Sequence, residues 1–299
     1  MACDSPLKAW KTRPDLSSGR VGILFSPGPT ADAPLNIPCG RCNGCRLDNA
    51  RHIALRASNE AVCHIQNSFL TLTYNDENLP PGGTLAPIHL VKFWKRLRIS
   101  LSRSGYHNGK VRYLACGEYG EKTLRPHYHA IVFGFWPSDC TFYSTAGGAS
   151  IYSSSFLDSV WGLGSVKVGS VVPATISYVA RYTSKKAGAK QEVLNPLTGE
   201  LVAEFRRASR RPGLGREWYN RYRSDVATDA VYVDKGITST IPRYYLNLLE
   251  VDDKKAFDRI KTTRNERMAQ ALVDDPHGSA LPAKIAIRDA RLKLSRGTL

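Results

Sequence analysis

Residues 126–133 read Pro126-His127-Tyr128-His129-Ala130-Ile131-Val132-Phe133. The stretch predicts a strand running on to Phe135, and strand alternation puts His127 and His129 on the same face. Working outward, Lys110–Tyr119 predicts a second strand, with Gly120–Arg125 as the turn of a hairpin. Upstream, Ser68–Tyr74 (SFLTLTY) is β-rich and ends at the turn-like run Asn75-Asp76-Glu77-Asn78. Between these strands, Pro87–Ser104 predicts a helix with Leu90, Phe93, Trp94, Leu97 and Leu101 on one stripe. Lys92, Lys95, Arg96 and Arg98 fall outside that stripe and read as a basic, DNA-attracting surface. Downstream come a short helix around Ser155–Trp161, a strand Ser165–Val171 and a helix from Pro173 to about Ala187.

The order β-α-β-β-α-β followed by a helix predicts an α+β fold. Its expected form is an antiparallel sheet with helices on one face, the split βαβ arrangement of ferredoxin- and RRM-like domains. Three regions follow. Residues 1–66 hold a cysteine cluster and a basic helix over Arg46–Cys63, preceded by a Pro-, Gly- and Ser-rich lead-in over 11–38. Residues 67–187 form the core domain, and residues 188–299 a basic, helical C-terminal region whose autonomy the sequence leaves open.

Composition narrows the partners. Lys plus Arg number 42 against 26 Asp plus Glu, a formal charge of +16. Such an excess suits a polyanion, because each neutralised phosphate releases condensed counterions. No apolar run reaches the length of a membrane span, and the N-terminus lacks the pattern of a secretory signal, so a cytoplasmic protein is expected. No Walker-type glycine-rich run with Lys-Ser/Thr appears, which argues against a built-in helicase motor.

Two constellations carry chemistry. His127 and His129, with Glu118 near the end of the preceding strand, offer two imidazoles and a carboxylate to a divalent cation, Mg²⁺ or Mn²⁺. Such a set leaves coordination positions open for a phosphate oxygen. Glu121, three residues on, competes for the third position. The second constellation is Tyr178-Val-Ala-Arg-Tyr182-Thr-Ser-Lys185-Lys186. In a helix Tyr178 and Tyr182 share a face, with the two lysines one turn beyond. A tyrosyl oxygen beside a polarised phosphate can attack phosphorus, provided that positive charge or a base offsets its ordinary pKa of about 10.

A third cluster, Cys39-Gly-Arg-Cys42-Asn-Gly-Cys45, spaces three thiols at x2 intervals and predicts a structural Zn²⁺ site. Cys3 is the first choice for a fourth ligand, with His52, Cys63 and His64 as alternatives; an iron–sulfur cluster is the other metal reading.

The strings SFLTLTY, GEYGEKTLRPHYHAIVFG and YVARYTSKK, in this order, resemble the three motifs of HUH endonucleases, the initiators of rolling-circle replication. CGRCNGCRLDNAR, WGLGSVKVG, FRRASRRPGLGREWYNRY and IPRYY resemble segments of initiators from gokushovirus-type microviruses. The resemblance covers most of the chain. It implies a catalytic metal on His127, His129 and an acidic ligand, and a nucleophile at Tyr178 or Tyr182. It also implies a 5′-phosphotyrosine intermediate on an origin nicked as single-stranded DNA within duplex, with Lys185 or Lys186 near the phosphate. A host helicase and polymerase in the bacterial cytoplasm would act with it. The middle residue of the motif, usually aliphatic, is Tyr128 here. Two other readings stay open: a zinc-braced binder of single-stranded nucleic acid without catalysis, and a plasmid or transposon enzyme of the same HUH class.

Overall fold

The two ends of the chain, residues 1–49 and 268–299, make one compact unit, and residues 50–267 make another. The computed structural model describes residues 3–15, 17, 21–106, 110–181, 192–229, 231–233, 237–275 and 279–294. In the terminal unit, β1 (Leu7–Thr12), β2 (Ile23–Leu24) and β3 (Ala31–Ile37) pair antiparallel in the order β2-β1-β3. The expected lead-in over 11–38 is thus partly a sheet. Its strands are short and mostly exposed, and β3 contains Pro34, so no apolar alternation marks them. After β3 comes α1 (Asn43–Ala61).

The second unit is built on a sheet whose strands are β4 (Asn67–Tyr74), β5 (Arg112–Tyr119), β6 (Pro126–Phe133), β7 (Thr141–Ala146), β8 (Ala149–Ser153), β9 (Gly164–Ser170) and, after a small hairpin of β10 (Glu192–Leu194) and β11 (Leu201–Ala203), β12 (Phe205–Ala208). They stand in the order β12-β5-β6-β4-β9-β8-β7, every neighbouring pair antiparallel. The four strands read from sequence occupy the consecutive places β5-β6-β4-β9. The α+β class and the antiparallel sheet are as expected. Two extensions were not: the β7–β8 hairpin on one edge and β12 on the other, the latter drawn from the region beyond residue 188.

Helices cover both faces, which corrects the expectation of helices on one. Along β4, Ser68, Leu70, Leu72 and Tyr74 are buried while Phe69, Thr71 and Thr73 are half-buried. The first set meets α2 (Pro87–Arg103), through Leu90, Phe93, Trp94, Leu97 and Leu101, and α3 (Ser155–Trp161). On the other face Leu114, Ile131 and Phe133 pack against Ala57 of α1 and against Ile176 and Val179 of α4 (Pro173–Arg181). The cause is legible in β6: Ala130-Ile131-Val132-Phe133 is apolar on both alternation phases, as in strands buried on both sides.

A separate cluster joins Leu55 of α1 to α5 (Arg216–Arg221), α6 (Arg223–Ala227), α7 (Arg243–Asp252) and α8 (Lys254–Asp274) through Trp218, Tyr219, Val226, Tyr245, Leu249 and Ile260. A short hairpin of β13 (Val231–Val233) and β14 (Ile237–Ser239) lies between α6 and α7 in sequence, and α9 (Leu281–Leu294) follows α8. Among the described residues, no helix is long and apolar enough to cross a membrane.

The Trp161-Gly-Leu-Gly164 turn shows how closely β9 approaches β4. Gly164 has φ +151°, and a Cβ there would lie 2.2 Å from the Thr73 carbonyl oxygen and 2.6 Å from the Asn75 nitrogen. Both contacts are backbone, so no side chain can swing away. Gly164→Ala is therefore expected to destabilise the protein by about 2 kcal/mol or more in urea denaturation. Gly83→Ala, whose added Cβ meets open space, is expected to cost only about 1 kcal/mol.

Candidate active site

Three strands and one helix converge at the Tyr119 end of β5. The hairpin register sets Glu118 opposite His127 and Cys116 opposite His129, and β4 sets Thr71 opposite His129. Glu118 is 2% exposed. Its Oε1 receives His127 Nε2 at 2.7 Å, His129 Nε2 at 2.6 Å and the hydroxyl of Tyr178, from α4, at 2.7 Å. Its Oε2 is buried with no hydrogen-bond partner among the described residues.

Each imidazole is aimed from behind. His127 Nδ1 donates to the Arg125 carbonyl at 3.1 Å, and His129 Nδ1 bonds Thr71 Oγ1 at 3.0 Å. Because a carbonyl only accepts, His127 keeps its neutral-state lone pair on Nε2, the nitrogen facing Glu118. Phe69 stacks on His129 with ring centroids 5.5 Å apart, and Tyr178 meets the same ring edge-on at 5.1 Å. Tyr128, between the two histidines, points to the opposite face and is fully buried. Its hydroxyl donates to the Ala86 carbonyl at 3.0 Å, accepts from Ala86 N at 2.9 Å and bonds the Tyr74 hydroxyl at 2.8 Å.

The electrostatics follow from these contacts. Burial pushes the Glu118 carboxyl upward, but hydrogen bonds from His127, His129 and Tyr178 outweigh it and hold the group down to about 2. Burial lowers His127, yet the hydrogen bond and charge of Glu118 leave it raised. Tyr178 moves the wrong way for a nucleophile: burial, then the Glu118 charge, raise its phenol. A bare phenol in this setting stays protonated, so a reactive one needs added positive charge. The donor set fits a divalent cation, since two imidazole Nε2 atoms and a carboxylate oxygen lie within 4.8 Å of one another beside the unpartnered Oε2.

The family model for replication-associated proteins of the ORF2 type matches residues 67–187, which contain this whole arrangement. The chain is 36% identical to replication-associated protein VP4 of Bdellovibrio phage phiMH2K over 71% of its own length and 67% of the relative's. It is 34% identical to replication-associated protein ORF2 of Spiroplasma virus 4, over 89% and 86% of the two lengths. The chain belongs to the microvirus replication-associated proteins. No solved structure matches it.

In this member of the family, Glu118, His127, His129 and Tyr178 are brought together, whereas Glu121 is exposed in the hairpin turn. Tyr182, Lys185 and Lys186 lie outside the described residues. The sulfurs of Cys3, Cys39, Cys42 and Cys45 form a second cluster, all within 4.8 Å of one another. The alternative ligands are elsewhere: Cys63 donates to the Asn59 carbonyl, His64 bonds Glu60, and His52 is not in the cluster.

Sequence reasoning missed the supporting groups. Thr71 and Phe69 were visible in SFLTLTY, since both share the face of Thr73 opposite His127. Glu204 and Arg206 were not, because nothing in the sequence places β12 beside β5. Arg206 Nη1 donates to the Ala180 carbonyl at 2.7 Å, tying the sheet edge to the helix that carries Tyr178. Glu204 is buried, accepts from Tyr119 N at 3.2 Å and adds a second negative charge felt by His127.

The raised His127 contributes stability that is complete below its ordinary 6.5 and is lost as pH rises through the folded value. The depressed Glu118 contributes stability that is complete above its ordinary 4.5 and is lost as pH falls toward about 2. In metal-free protein, the advantage of wild type over Glu118→Gln is expected to peak between pH 4.5 and 6.5, at on the order of 2–4 kcal/mol. Denaturation of both proteins across pH 3–9 checks this; a flat difference would sink it.

Proposed function

We propose that this chain initiates rolling-circle replication of a small single-stranded DNA phage by nicking its origin through a covalent tyrosine–DNA intermediate. The observation that carries the reading is the convergence of His127, His129 and Tyr178 on one oxygen of buried Glu118. The strand order β5-β6-β4-β9, that of a split βαβ unit, supports an HUH-type core. The phage origin of the matched relatives favours a phage initiator over a plasmid or transposon enzyme.

Glu118, His127 and His129 would hold the divalent ion. When bound, Mg²⁺ or Mn²⁺ supplies Lewis-acid polarisation of a phosphate oxygen and the positive charge that a phenolate needs. Thr71 and the Arg125 carbonyl keep both Nε2 atoms aimed at the site. Tyr178 Oη attacks phosphorus while the bond from phosphorus to the 3′ oxygen breaks. The proton lost by the phenol is matched by the one the departing 3′ oxygen gains. The products are a 5′-phosphotyrosine and a free 3′-hydroxyl for a host polymerase, working with a host helicase in the bacterial cytoplasm. Tyr182, one helical turn on, would cut the regenerated origin so that the free 3′-hydroxyl recloses the circle. Lys185 or Lys186 would stabilise charge on the phosphate.

The flanking DNA has a fitting surface. Lys110, Arg207, Arg210 and Arg211 are exposed along an open groove of about 1100 Å³ at the Arg112 end of β5. Two cations expected on the α2 surface are engaged in packing. Arg96 donates to the carbonyls of Val160 and Trp161, and Arg98 to that of Val111.

Incubation with a labelled origin-region strand and Mn²⁺ is expected to yield a protein–DNA band on a denaturing gel. The band should disappear with EDTA and in the Tyr178→Phe, Tyr182→Phe double variant. Tight binding without a covalent band, across candidate origins and both metals, would instead favour a non-catalytic single-strand binder. Replacing Arg207, Arg210 and Arg211 by Ala is expected to flatten the slope of log affinity against log salt by about 2, roughly 0.7 per lost phosphate contact. An unchanged slope would move the DNA off this groove.

A further inference from the structure

The terminal unit poses a stability problem. Among its described residues, Cys3 and Ala9 are the only buried apolar side chains. A three-stranded sheet with so little core needs a covalent or metal staple, and all its cysteines are free thiols. Cys3 stands just ahead of β1 and Cys39 just after β3, while the register pairs Leu7 with Ile37. The two thiols therefore meet at one open end of the sheet. Cys42 and Cys45 enter from the start of α1, completing a set of four sulfurs within 4.8 Å of one another.

We propose that Cys3, Cys39, Cys42 and Cys45 bind one structural zinc ion, and that Asp4 links this site to the C-terminal helix through Arg288. The geometry suits zinc. Tetrahedral Zn–S bonds of about 2.3 Å place sulfurs about 3.8 Å apart, and Cys3 Sγ and Cys42 Sγ are separated by 3.9 Å. An iron–sulfur cubane needs more room between its thiolates than this spacing leaves.

Backbone amides are already turned toward the sulfurs. Cys39 N donates to Cys3 Sγ at 3.2 Å, Asp4 N to Cys42 Sγ at 3.2 Å, Cys42 N to Cys39 Sγ at 3.4 Å and Cys45 N to Cys42 Sγ at 3.4 Å. Such donors offset the charge that four thiolates retain around a divalent ion. Asp4 extends the shell: its Oδ2 accepts from Gly44 N at 3.4 Å and from Arg288 Nη2 at 2.9 Å, while Oδ1 accepts from Arg288 Nη1. Metal loading would then set the order of α9, almost the whole chain away in sequence. None of this depends on the nicking reaction.

The test uses full-length protein purified with reductant and without chelator. Elemental analysis is expected to find one zinc per chain, retained in a His127→Ala, His129→Ala double variant. Cobalt exchanged into this site should show the intense near-ultraviolet thiolate band and the visible bands of tetrahedral coordination. Cys3→Ser is expected to weaken zinc binding by more than about 100-fold, beyond the 10–100-fold typical of a supporting partner. Arg288→Ala should keep the zinc yet speed hydrogen exchange in α9, and stripping the zinc from wild type should do the same. Four reactive thiols with no metal, an oxidised pair, or iron with labile sulfide would overturn the site. Undiminished zinc binding in Cys3→Ser would overturn its ligand set, and unchanged exchange in α9 would overturn the link through Asp4.

Discussion

The β5–β6 register is the constraint on which the site depends. Side chains alternate along a strand, so a slip of one residue would set Glu118 opposite Tyr128 and turn both histidines into the α2 core. Tyr128 prevents the slip. Its ring is buried on the far face, and its hydroxyl is saturated by Ala86 and Tyr74 at positions a displaced strand could not reach. The residue between the two histidines, which makes no contact with Glu118, thus anchors their orientation.

Burying Glu118 is costly unless its charge is met, and the fold meets it on one oxygen only. Three donors crowd Oε1 while Oε2 has none, an arrangement with more donors on one atom than a carboxylate needs for burial alone. Protons on the imidazoles do in this structure what a cation would do in a loaded one. The same charge that organises the site restrains Tyr178, since a phenol hydrogen-bonded to a carboxylate resists ionisation. Organisation and reactivity are thereby separated: the residues can be assembled without the tyrosine being active.

Covering the second face of the sheet makes this possible. Ile176 and Val179 seat α4 on Leu114, Ile131 and Phe133, and Arg206 holds the Ala180 carbonyl from the sheet edge. Tyr178 is therefore carried on a helix fixed along its length, which suits a group whose oxygen must meet phosphorus within a few tenths of an ångström. A sheet with helices on one face alone would leave that helix without a seat.

The sequence by itself determined the elements and the chemistry that local periodicity encodes. The α2 stripe, the alternation of SFLTLTY, the paired histidines and the i, i+4 tyrosines each depend on neighbours a few residues apart, where helix and strand geometry are invariant. Choosing Glu118 over Glu121 as the carboxylate on the histidines, bringing Cys3 to the other cysteines, adding β12 with Arg206 to the sheet edge and covering its second face were decided by tertiary structure. Each joins segments whose spacing in the chain carries no periodic signal. Their meeting is set by which apolar faces and which strand edges remain to be covered once the local elements have formed.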